Sequence, residues 1–196
     1  MYSKYLEFCE LRDAGLRQKA NQAAQDFVAE YRANPDPGFI TEICESATHK
    51  INFHIWSGVV WPFYVEDRTN PIAIKYLIQT IQNLYSDKTA HKSVDGVTEW
   101  QLLDQYLDAV PKDKWATDRK KVVLSDWLAH VIHEWPSGVL YENDGATIHE
   151  CQKILQEIEE LRSIDDRSDY EALCLDVEQK TKEYLEQLQE DNSSSI

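Results

Sequence analysis

Glycine is scarce in this chain, with only six in 196 residues. No Asn-Gly pair is present to close a tight hairpin, and strand-like alternation hardly appears, which argues against a β-rich fold. No apolar run approaches the ~18–20 residues needed to cross a bilayer, so no membrane association is expected. The chain opens Met1-Tyr2-Ser3-Lys4-Tyr5-Leu6-Glu7, without the basic and apolar stretches of a secretion signal, and a cytoplasmic protein is the expectation.

The four cysteines, Cys9, Cys44, Cys151 and Cys174, form no CxxC pair. That spacing fits neither a zinc site nor a redox motif, and reduced structural thiols are expected. Cys151 and Cys174 fall on neighbouring helices but at unequal distances from the turn between them. At ~1.5 Å of rise per residue they sit roughly 9 Å apart along the axis, too far to bridge.

Enzyme signatures are missing too. There is no P-loop, GxGxxG or GxSxG elbow. His133-Glu134 is followed by Trp135-Pro136, and His149-Glu150 has no histidine at the required step, so neither makes an HExxH site.

Cations are the other shortage: 20 Lys and Arg stand against 35 Asp and Glu, a net charge of −15. Most of the excess lies at one end. Glu142 to Asp191 holds 16 acidic and 5 basic residues, net −11, and the remainder nets −4. Such a surface repels nucleic acid and anionic membrane and attracts basic partners at long range. The 42% apolar content is ample for a core, and only residues 192–196 read as a disordered tail.

Helix signals dominate what is present. Ser3 to Ala33 reads as one long helix or as two broken near Gly15, stopped by Asn34-Pro35-Asp36-Pro37. A second begins near Pro37 and places Ile40, Ile43, Cys44, Ala47, Ile51 and Ile55 at helical spacing. It leads into Trp56–Val65, apolar on every side and the one stretch where a short strand is conceivable. Asn70-Pro71 marks a helix start, Thr98-x-x-Gln101 a capping box, and Asp118 the cap of a helix to Trp135.

Two final helices follow, 146–163 and 169–190, the second with a capping box expected at Ser168-x-x-Glu171. Tyr170, Leu173, Val177, Thr181, Tyr184 and Leu188 give it an a/d seam. Its partner helix offers Ile148, Cys151, Ile154, Leu155, Ile158 and Leu161. The expected architecture is all-α, an irregular bundle of about seven helices ending in a long antiparallel αα-hairpin. Residues 1–141 would form the helical core and 142–191 an acidic hairpin packed on it.

Three groups of polar residues invite a functional reading. Asp126, His130 and His133 recur at i, i+4 and i+7, putting one carboxylate and two imidazoles on a single stripe, as a metal site requires. That stripe lies opposite Leu124, Trp127, Leu128, Val131 and Trp135, so a solvated face is favoured and no metal is assigned. Glu45 and His49, with Glu42 a turn earlier, lie opposite the second helix's apolar stripe. Their spacing is one step longer than the Glu-x-x-His pairs of di-metal bundles. His54 falls at the edge of that stripe and reads as a hydrogen-bonded core histidine.

The third group comprises Glu157, Glu160, Asp176, Glu183, Glu186 and Glu190, read as opposite or flanking the seam. A mixed surface would confer solubility equally well, so bias to one sign on two adjacent helices suggests a steering surface. The expected function is therefore a non-enzymatic protein-binding protein, needing no cofactor and engaging a basic protein partner as immunity proteins and inhibitors do. The alternatives are a helical-bundle enzyme or metal-binding protein built on Asp126, His130 and His133 or on Glu45 and His49, and a structural subunit of a larger assembly.

Overall fold

A computed structural model describes residues 2–45, 50–134 and 146–194, with only the backbone of 133, 134 and 191–194. The protein is all-α, and the described residues contain no strand. Helices are shorter and more numerous than the sequence suggests. The chain divides into two compact units, Met1–Pro111 and Lys112–Ile196, so the division falls ahead of the long helix at 114 rather than at residue 141.

In the first unit, α1 (Ser3–Asp13) and α2 (Arg17–Ala33) fold back on one another across Gly15. Gly15 has φ +72°, a left-handed turn that a residue with a Cβ adopts only at a cost. The Tyr2 hydroxyl donates to the Asn34 carbonyl. The Glu30 carboxylate accepts from the backbone N–H groups of Ser3 at 3.3 Å and Lys4 at 3.0 Å, satisfying the open end of α1. Rings from three segments close the space between: Tyr2 and Tyr5 meet Phe39 at 4.9 and 5.0 Å, and Tyr5 meets Phe27 at 5.2 Å.

The helix expected to run from Pro37 through Ile55 is not continuous. α3 covers Pro37–Glu45, Ala47 lies outside the described residues, and 50–52 are not helical. The cause is Asn83, which is 1% exposed. Its side chain accepts from the Ile51 N–H at 2.9 Å and donates to the Ile51 carbonyl at 3.0 Å. With both backbone groups of Ile51 engaged, the helical ladder has nothing to join there. Asn52 then caps α4 (Phe53–Ile55) by accepting from the His54 N–H.

The stretch in which a strand was conceivable is helical throughout, a π-helical turn at Trp56–Val60 followed by α5 (Trp61–Glu66). The Trp61 N–H reaches five residues back to the Trp56 carbonyl. Pro62 accounts for the widening, because its ring would press on the Gly58 carbonyl four residues earlier in an α-helical turn. Trp56 is fully buried and Trp61 stacks on it at 5.5 Å.

Asn70 caps α6 (Pro71–Gln79) as expected, accepting from the Ile72 N–H. Thr80 interrupts the following run and donates back to the Tyr76 carbonyl at 2.8 Å, so α7 (Ile81–Ser86) is separate. Asp87 caps α8 (Lys88–Ser93). Thr98 and Gln101 form the expected capping box of α9 (Glu99–Ala109), which packs on α6.

In the second unit, α10 (Lys114–Glu134), α11 (Ile148–Ile164) and α12 (Glu171–Ser194) each pack against the other two. α10 begins earlier than expected. Asp113 is its cap, accepting from the Ala116 N–H at 3.1 Å, while Asp118 lies within the helix and pairs with Lys114 at 3.1 Å. Thr147 and Glu150 form the capping box of α11. Ser168 does not cap α12. It takes φ +55° in the connection, and the Asp165 carboxylate accepts from the Tyr170 N–H at 2.9 Å. The core joins Leu124, Leu128 and Val131 of α10 to Ile154, Ile158 and Leu161 of α11, with Val177 and Thr181 of the expected seam on α12 and, outside that seam, Cys174 in place of the half-buried Leu173. α12 runs to Ser194, through most of the segment expected as a disordered tail.

Candidate functional site

Charge is unequal between the two units. Residues 1–111 carry 15 acidic and 10 basic side chains, net −5, and residues 112–196 carry 20 and 10, net −10. Within the second unit, helix packing sorts the acids expected to form one outward surface into three different environments.

Glu157 belongs to the interior. It is 5% exposed and its carboxylate accepts from the Trp127 indole N–H at 2.6 Å. Lys153 stands 3.8 Å away. Burial pushes the Glu157 carboxyl above its ordinary range, although the indole bond and Lys153 act the other way and Glu160 adds to the rise. A side chain enclosed by α10 meets no partner, so Glu157 leaves the proposed surface. The sequence places it at the flank of the seam and shows nothing of Trp127, thirty positions away.

The next group is neutralised from within. Glu160 pairs with Lys120 of α10, whose side chain is only 10% exposed, and Lys121 reaches Asp166 at 2.8 Å. Arg162 gathers Glu159 at 2.9 Å, Glu171 at 3.0 Å and Glu178 at 2.8 Å. Lys182 and then Arg162 hold the Glu178 carboxyl below its usual range. Asp176 is exposed and pairs with Lys180 at 3.0 Å.

The far half of α12 is different. Glu183, Glu186 and Glu190 are exposed there, and no cation follows Lys182 in the chain. Glu183 accepts a bond from Gln179 at 2.9 Å, one turn back. Tyr184, Leu185 and Leu188 lie half-buried among these carboxylates.

Of the metal candidates, the structure describes the side chains of Asp126, His130 and Glu45. Asp126 and His130 are exposed, and His130 lies beside the Trp127 ring at 5.9 Å. The side chain of His133 lies outside the described residues, as does His49. Glu45 is exposed at the end of α3. Among the described residues no group of three or more His, Cys, Asp or Glu side chains gathers as ligands would. His54 is half-buried and its Nε2 lies 3.2 Å from the Gln25 side-chain nitrogen. All four cysteines are free, and Cys44, Cys151 and Cys174 are buried. Among the described residues no helix is long and apolar enough to cross a membrane.

Structure and surface together define a two-unit all-helical protein with a one-sided acidic helix end. Compared with protein families, with curated proteins and with solved structures, the chain matches none.

Proposed function

We propose that this is a non-enzymatic protein-binding protein that engages a basic protein partner through the far half of α12, in the manner of an immunity protein or inhibitor. The observation that carries the reading is the run after Lys182, where Glu183 and Glu186 stand exposed and no further cation follows in sequence. Elsewhere in the unit, Lys120, Lys121 and Arg162 neutralise their acidic neighbours. An unbalanced patch with half-buried apolar side chains between its charges suits a cationic amphipathic partner.

The test is kinetic. A partner captured at low salt is measured against wild type and a Glu183→Gln, Glu186→Gln variant. The variant should associate several-fold more slowly at low ionic strength and lose part of its salt dependence, with an unchanged melting temperature. Equal association rates at low salt would reduce the acidic face to a solubilising surface. Glu157 and Glu160 are unsuitable for this test, since the first is buried and the second is paired internally.

A further inference from the structure

The first unit contains the reverse of the acidic face. A cavity of about 700 Å³ opens between α1, α2, α3 and the segment before α4, and Arg12, Arg17 and Lys50 line it. Among its described lining residues there is no carboxylate, on a chain whose net charge is −15. Asp13, which pairs with Arg12 at 2.9 Å, and Glu42, whose charge reaches the Tyr5 hydroxyl, are not part of the lining. No ion pair with a described residue engages Arg17 or Lys50. Arg12 already shares its charge with Asp13, whereas Arg17 and Lys50 bring cations to the same space with no described carboxylate paired to them and have something to gain from an anion.

The remaining wall adds donors on one side and apolar surface on the other. Asn52 donates to the Asn21 side-chain oxygen at 3.0 Å, which among the described residues leaves the Asn21 NH₂ as a spare donor. Arg17 is the first residue of α2, a 17-residue helix with no side-chain cap and no acid in its first turn. Its positive dipole end therefore adds to the same potential. Opposite these groups stand Tyr5, Phe8 and Ile55, with the Arg12 guanidinium 5.7 Å from the Phe8 ring centre. The volume lies within the range of about 300–1,000 Å³ typical of small-molecule sites.

We infer that this cavity binds a small organic anion, a phosphorylated compound of nucleotide size, with Arg17, Lys50 and Arg12 on the phosphate and the Tyr5–Phe8 wall against its ring. The proposal is independent of the acidic helix, which belongs to the other unit.

The probes are adenosine 5′-diphosphate and inorganic pyrophosphate, titrated into the full chain by calorimetry and followed by amide chemical shifts. One adenosine diphosphate per chain should bind saturably, and more tightly than pyrophosphate. Changing Arg17→Gln and Lys50→Gln together should weaken it roughly tenfold or more, since each removes a charge-assisted contact. A control variant, Lys88→Gln with Lys92→Gln, makes the same change in net charge at exposed positions on α8 and should bind like wild type. Matching melting temperatures confirm that both variants fold. Absence of saturable binding by either probe, or equal weakening in the two variants, would overturn the proposal. Pyrophosphate binding as tightly as the nucleotide would remove the ring from it.

Discussion

Replacing Glu157 by Gln should stabilise the protein at neutral pH and leave its stability unchanged in acid. The carboxylate is 5% exposed and has the Trp127 indole N–H at 2.6 Å and Lys153 at 3.8 Å. Its carboxyl nevertheless rises above its ordinary range, so loss of solvation outweighs both partners. A raised folded-state pKa means that the native protein holds this proton more tightly than the unfolded chain does. Stability from this group is then complete below the unfolded glutamate value of about 4.3. It is lost as pH climbs through that value to the raised one, and stays lost above it. Gln keeps the oxygen that accepts the indole bond and removes the charge. The neutral bond is weaker than the charge-assisted one by about 1 kcal/mol, whereas removing an incompletely compensated buried charge returns more than that. A net gain on the order of 1 kcal/mol at pH 7 follows, vanishing near pH 4.

Urea titration of wild type and variant at pH 7 and pH 4, followed by far-UV circular dichroism and by tryptophan fluorescence, reads both quantities. Glu157→Ala is the useful contrast, because it strands the indole N–H and opens a void, and should cost about 2–3 kcal/mol at pH 4 and about 1 kcal/mol less at pH 7, since it removes the same buried charge. A Gln variant less stable than wild type at pH 7, or an advantage of equal size at both pH values, would refute the reasoning.

Changing Asn83→Ala should cost about 2 kcal/mol or more in thermal or urea unfolding, because it orphans the N–H and carbonyl of Ile51 together. A Cβ on Gly58 would stand 2.4 Å from Val28 Cγ1, so Gly58→Ala should lower stability by about 1–3 kcal/mol. Adding Val28→Ala should recover part of that loss, a coupling that a double-mutant cycle measures. In the folded protein a thiol-specific reagent should label Cys9 quickly. Cys44, buried with its thiol pushed up to about 12, should react only as the protein opens.

What was legible in the sequence is what short-range bonds decide. Asn70 and Thr98 cap their helices as their positions suggest, because the donors they satisfy lie two or three residues on. The α12 core at Val177 and Thr181 also follows from periodicity. The start of α10 lies about a turn ahead of the expected Asp118, because Asp113 accepts from the Ala116 N–H while Asp118 pairs with Lys114 inside the helix. The larger differences come from bonds over thirty or so positions. Asn83 interrupts a helix by holding Ile51, and Trp127 draws inward a glutamate that a wheel puts at the margin. A helical wheel describes one helix in isolation, and these choices belong to pairs. The cationic cavity is of the same kind, since Arg12, Arg17 and Lys50 come from three segments that only the fold brings together.

The far half of α12 carries a further consequence. A helix gathers partial negative charge at its C-terminal end, and carboxylates there act against it by some tenths of a kcal/mol each. α12 carries Glu190 about one turn before its end at Ser194 and has no basic residue in its last turn, so its final turns form within an opposing field. A cation arriving there relieves that field and firms the helix in one event. Binding of a basic ligand should therefore raise helicity at the end of α12, and added salt should also raise that helicity while weakening the binding.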